Sequence, residues 1–151
     1  MLKRLFEVLE GRHPPDINKS EDDTKLAVAA LLVEAARMDQ DFDDRERSKI
    51  AALLAGKFEL SGEETESLIG KADKKISDTE QNFPFTHAIN MNMDGGERVY
   101  VIEMLWSVAY ADGQLDPYED ALIRQIAGLI YVSDRDRMLA RKRALEKLGI
   151  A

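Results

Sequence analysis

Residues 28–50 and 101–123 of this chain repeat one pattern at an offset of 73. Val28 falls on Val101, Leu32 on Leu105, Ala36 on Ala109, Asp39 on Asp112, Asp43 on Asp116, Glu46 on Glu119 and Ile50 on Ile123. Steps of three or four residues separate these matches, which is the spacing of one helical face. The repeat constrains the fold more than any other feature. An apolar helix, an acidic turn and a second helix must each find equivalent surroundings twice. We expect an all-α fold, a compact bundle of about seven to eight helices with an internal pseudo-two-fold helix-turn-helix repeat spanning residues 24–76 and 97–148.

Local signals place the remaining elements. Residues 2–9 space Leu2, Leu5, Phe6 and Leu9 as a short amphipathic helix, and Pro14-Pro15 marks a linker, so residues 1–19 stand apart from a helical domain at 20–151. Ser20 with Asp23, Asp43 with Glu46, Ser61 with Glu64, Asp116-Pro117 with Glu119, and Ser133 with Asp136 each have the form of a helix start. The second helix is expected to end at Gly56, and Asp94-Gly95-Gly96 to form a plain turn before a helix over residues 99–111. No phosphate-loop motif surrounds that glycine pair. No sustained apolar/polar alternation argues for strands.

At 151 residues the chain is long enough to close one core. Its formal charge of −8 disfavours nucleic acid or an anionic membrane as the main partner and favours cations or basic partners. There are no cysteines, hence no disulfide, thiolate site or thiol redox chemistry. Neither a signal-peptide core nor a membrane span is evident, so a cytoplasmic protein is expected.

Chemistry is expected in the acidic turns, Asp39-Gln40-Asp41-Phe42-Asp43 and Asp112-Gly113-Gln114-Leu115-Asp116. Alternating oxygen side chains can converge on a hard cation, with Phe42 and Leu115 anchoring the turns from the other side. An EF-hand does not fit, because its sixth position is Asp44 or Pro117 and its twelfth Ile50 or Ile123. The shorter set Asp39, Asp41, Asp43, Glu46, Asp112, Asp116 and Glu119 remains as metal ligands, and all-oxygen ligation favours Ca²⁺, Mg²⁺ or Mn²⁺. The same residues also serve as ordinary caps, each worth about 1 kcal/mol. Capping does not account for Asp41 or for gathering so many carboxylates together.

The doubled pattern, seen as AYADGQLDPYE and in altered form as AARMDQDFDDRE, resembles the TerB-like family of tellurite-resistance proteins over roughly residues 20–148. The resemblance implies a compact helical fold of seven or eight helices with an internal pseudo-repeat, a link to stress and tellurite resistance, and metal binding at the acidic turns. Gln40 departs from the glycine that the family pattern has there. Direct tellurite reduction is not expected, since no thiol and no haem, flavin or nicotinamide signature is present. No organic cofactor is expected.

Outside the turns, Glu34 and Glu103 interrupt the two most apolar helices. Glu34 has Arg37 one turn away, whereas Glu103 has no local basic neighbour and is an acid-base candidate, or one that would orient a ligand. His13 and His87 lack metal-ligand spacing. Trp106, Tyr110, Tyr118 and Tyr131 read as core, Ser107 as a packing residue, and the basic strip of Arg135, Arg137, Arg141, Lys142, Arg143 and Lys147 as a solvated face. The leading expectation is a non-enzymatic module that binds a divalent cation or a protein partner through its acidic turns. The alternatives are a small metal-dependent hydrolase and an ion-free interaction or scaffold protein.

Overall fold

The computed structural model describes residues 17–38, 43–78 and 83–150. A run such as residues 26–36, with Glu34 as its one charge, offers water almost no face, so the helix that carries it must be central. That helix is α1 (Ile17–Ala36), and its counterpart in the second repeat is α5 (Gly95–Ala109). They pack on each other as the core pair, with Val28, Leu32, Val101 and Leu105 fully buried.

Around them stand α2 (Asp44–Phe58), α3 (Gly62–Asp78), α4 (Phe83–Asn92), α6 (Pro117–Leu129) and α7 (Asp134–Leu148). There is no strand among the described residues. In each repeat the third helix packs most heavily on its own central helix, α3 on α1 and α7 on α5, while the second packs on both central helices. α4 joins the halves and lies against α1.

The offset found in the sequence survives in three dimensions. α1 ends at Ala36 and α5 at Ala109; α2 begins at Asp44 and α6 at Pro117; each pair is 73 residues apart. Five of the seven matched positions, 28/101, 32/105, 36/109, 46/119 and 50/123, are buried in both copies. Even the joint between the second and third helices is duplicated. Leu60 N donates to Ala55 O at 3.1 Å and Val132 N to Ala127 O at 2.8 Å, each just after a left-handed residue, Glu59 (φ 54°) or Tyr131 (φ 60°). This helix-ending motif usually carries glycine or asparagine. Ser61 and Ser133 follow at once as N-caps, accepting from Glu64 N and Asp136 N at 3.1 Å.

Several expected boundaries move. α1 is already helical at Ile17, so Ser20 lies inside it and is not its cap. The amphipathic stretch at residues 2–9, the proline pair and His13 lie outside the described residues. α2 runs past Gly56 to Phe58, because the left-handed turn at Glu59 supplies the stop without a glycine. The glycine pair at 95 and 96 forms the first turn of α5. Asp94 accepts from Glu97 N at 2.8 Å and Glu97 Oε1 from Asp94 N at 3.1 Å, a reciprocal cap that satisfies the first amides and tolerates glycine beyond it.

Candidate functional site

The second acidic turn is built by backbone geometry. α5 stops at Ala109, and Gly113 takes φ 89°, a conformation that costs a side chain but not glycine. Asp112 Oδ1 then accepts from Gln114 N at 3.0 Å, closing a local turn. Asp116 Oδ1 accepts from Tyr118 N at 2.7 Å, capping α6 with Pro117 at its first position. Leu115 is half-buried against the core, as expected of the residue that anchors the turn. Thus Asp112 and Asp116 each commit one oxygen to a nearby amide. Glu119 faces inward and is 2% exposed.

The first turn is described only from Asp43 onward; Asp39 and Asp41 lie outside the described residues. Asp43 Oδ1 accepts from Glu46 N at 2.9 Å and caps α2, and Arg45 stands 3.6 Å from its other oxygen. Glu46 is 3% exposed, so the two glutamates at matching repeat positions are both buried carboxylates. The sequence places them one turn inside a helix start, where a solvated side chain is the usual outcome. They lie on α2 and α6, the helices that pack on both members of the central pair.

The start of α2 and the residue before the second turn border one surface. A shallow hollow of about 460 Å³ is lined by Asp44, Arg45, Ser48 and Lys49 of α2 on one side and by Ala111 and Leu148 on the other. Asp44, one residue past the Asp43 cap, and Ala111, one residue before Asp112, therefore line the same depression. Tyr118, at the start of α6, is 69% exposed. Among the described residues, no group of three or more His, Cys, Asp or Glu is arranged to hold a metal ion. The described carboxylates of the second turn thus do not form a cation shell by themselves.

Glu103 sits elsewhere. It lies in the middle of α5, 4% exposed, with Arg143 Nε donating to Oε1 at 2.7 Å and Lys147 Nζ to Oε2 at 2.5 Å. Burial alone would raise its carboxyl, but the hydrogen bonds and positive charges of Lys147 and Arg143 outweigh it and hold the group below the usual carboxylate range. The sequence shows no basic residue near Glu103 because both partners come from α7.

The same contacts reshape the basic strip expected on the last helix. Arg137 is buried and pairs with Asp134, and its carbonyl accepts from Trp106 Nε1 at 3.1 Å. Arg141 donates to Tyr110 Oη at 2.9 Å and lies 5.9 Å and 5.5 Å from the Trp106 and Tyr110 ring centroids. Four of the six cations thus fasten α7 to the body or brace its first turn, and Arg135 and Lys142 point outward. Trp106 and Tyr110 are core, as expected, but Tyr118 and Tyr131 are exposed. Ser107 donates to the Glu103 carbonyl at 3.1 Å and is buried. On the first repeat, Arg37 reaches across to Asp73 at 3.0 Å. His87 is exposed.

A family model described as Tellurite resistance protein TerB matches residues 25–142. The chain belongs to the TerB family. The matched stretch takes in both acidic turns, α1 from residue 25, the whole of α5 and the start of the polar docking of α7. No curated protein and no solved structure matches the chain. No helix among the described residues is long and apolar enough to cross a membrane.

Proposed function

We propose that this TerB-family protein is a non-enzymatic module of the stress and tellurite-resistance type, binding its ligand at its acidic turns, beside the hollow between the start of α2 and Ala111. The observation that carries this reading is the hollow whose walls adjoin the two turns in sequence, with Asp44 and Arg45, just after the Asp43 cap, on one side and Ala111, just before Asp112, on the other. It sets charged side chains around a small apolar base, a composition that suits a protein surface with an apolar side chain flanked by polar groups. Tyr118 stands exposed at the head of α6 and adds the kind of residue that dominates interface energetics.

A protein partner is therefore the favoured ligand, and a divalent cation is the second. The second turn spends Asp112 and Asp116 on its own amides, so a cation there would need Asp39, Asp41 and Asp43 of the first turn beside them. Oxygen donors of this kind suit Ca²⁺, Mg²⁺ or Mn²⁺. The hydrolase alternative loses its acid-base candidate, since Glu103 is held ionised between two cations.

Two measurements test the proposal. A photo-crosslinking side chain at Ser48, in the hollow, should capture a discrete partner in cells that the same group at Lys74 does not; equal capture at both positions sinks the partner reading. Calcium and manganese titrations by calorimetry on the wild type and on Asp112→Asn/Asp116→Asn test the cation. Heat that disappears in the variant supports it, and no heat or thermal shift at millimolar ion removes it.

A further inference from the structure

The third helices of the two repeats occupy equivalent places yet carry opposite charge. α3 has five carboxylates against three lysines, whereas α7 has six cationic side chains against three carboxylates. Four of those six cations are engaged within the fold, which leaves an outward stripe of Arg135, Met138, Leu139 and Lys142 at the i, i+3, i+4, i+7 spacing of one helical face. Met138 and Leu139 are 46% and 40% exposed, and neither Arg135 nor Lys142 makes an ion pair among the described residues. An apolar pair between two unengaged cations is a surface of defined polarity on a chain whose formal charge is −8.

The matching surface is on the first repeat. Between the start of α1 and the start of α3 lies an open groove of about 460 Å³, rimmed by Asp22, Asp23, Glu63 and Glu64, with the partly buried Leu26 and Leu68 giving it an apolar base. Ser61 hydrogen bonds hold the Glu64 carboxyl below its usual range, so this side of the rim stays charged. Two lysines also line the groove, against its four carboxylates. The stripe and the groove are therefore complementary in both respects that set specificity, apolar on apolar at the centre and cation on carboxylate at the edge.

We infer that the occupant of this groove is the α7 stripe of a second copy of the chain. The two surfaces are different patches, each held by its own central helix, so the contact is head-to-tail. One copy offers its α7 to the groove of the next while its own groove stays open, which builds a ring or an open array according to the rotation between neighbours. The acidic turns proposed above take no part, so an array would present them many times over.

Sedimentation equilibrium on the full chain tests this. The wild type is expected to self-associate at low ionic strength, with association weakening about tenfold or more by about 0.5 M salt, where charges further apart than a few ångströms are screened. Arg135→Glu/Lys142→Glu and Asp22→Lys/Glu63→Lys, each shown to be folded by circular dichroism, are expected to be monomeric alone. Mixed in equal amounts they should associate again, because the native stripe of the second variant meets the native groove of the first and the two reversed surfaces match each other. A wild type that stays monomeric at low salt overturns the inference, as does association of either variant alone at wild-type strength or a mixture that remains monomeric.

Discussion

Glu103 Oε1 accepts a hydrogen bond from Arg143 Nε at 2.7 Å, although forty residues separate them in sequence. Lys147 completes the arrangement from one turn further along α7, and its Nζ also lies 5.5 Å from the Tyr100 ring centroid. In the first repeat the residue matching Glu103 is Ala30, fully buried, and α3 buries Ile69 and Ala72 while its ion pairs, Arg37–Asp73 and Arg47–Glu66, stand at the exposed edge. Two equivalent helix contacts are thus made by different chemistry. The α7 contact has a buried carboxylate at its centre, where the α3 contact has an alanine.

Removing the charge should show this. Glu103→Gln leaves Arg143 and Lys147 without their anion, and because both cations are partly exposed the cost is expected to be about 2 kcal/mol at neutral pH, below that of a wholly buried pair. The Glu103 carboxyl titrates lower in the folded chain than in the unfolded one, so its contribution is full above the unfolded value of about 4.3 and fades as pH falls through the lower folded value. Urea denaturation across pH should find the gap between wild type and variant widest near neutrality and closing in acid. A gap independent of pH would contradict the assignment.

Leu32 and Leu105 provide a test of the duplication. Both are fully buried at matched positions of the central pair. Leu32→Ala and Leu105→Ala are each expected to cost about 3 kcal/mol, with both denaturation midpoints shifting by similar amounts. A large disparity would mean that the two halves of the core are packed to different tightness.

The cap at Asp116 separates backbone duty from charge. Asp116→Ala loses the bond from Tyr118 N and should destabilise by about 1 kcal/mol, whereas Asp116→Asn keeps an acceptor there and should be nearly neutral in thermal melts. If the asparagine variant is as unstable as the alanine one, the carboxylate charge does more than cap.

Tyr131 adopts φ 60° and is 78% exposed. Glycine fits that conformation without strain, so Tyr131→Gly should leave stability unchanged or raise it by up to about 1 kcal/mol in chemical denaturation. A marked loss would show that the ring packs against something in solution.

What was legible in the sequence was whatever lies within one or two helical turns. The repeat offset, the caps at Asp43, Ser61, Asp116 and Ser133, and the buried faces of α1 and α5 follow from spacing and side-chain chemistry, and the structure holds them where the residues place them. The stops at Glu59 and Tyr131 were hidden, because each uses a residue that seldom takes a left-handed conformation and is fixed there by a bond spanning the joint. The glycine pair at 95 and 96 read as a break for the opposite reason, since glycine is a poor helix former and only the reciprocal Asp94 and Glu97 cap keeps it helical.

By itself the sequence determined an all-helical chain folded twice over the same plan, with carboxylates at both turns, since local periodicity and capping involve only near neighbours. Tertiary structure alone decided that Glu103 lies between two cations, that Glu46 and Glu119 are buried, and that four of the six cations of the α7 strip are engaged within the fold. Those outcomes depend on which helix lands on which. Packing between residues distant in sequence settles that, and no local pattern encodes it.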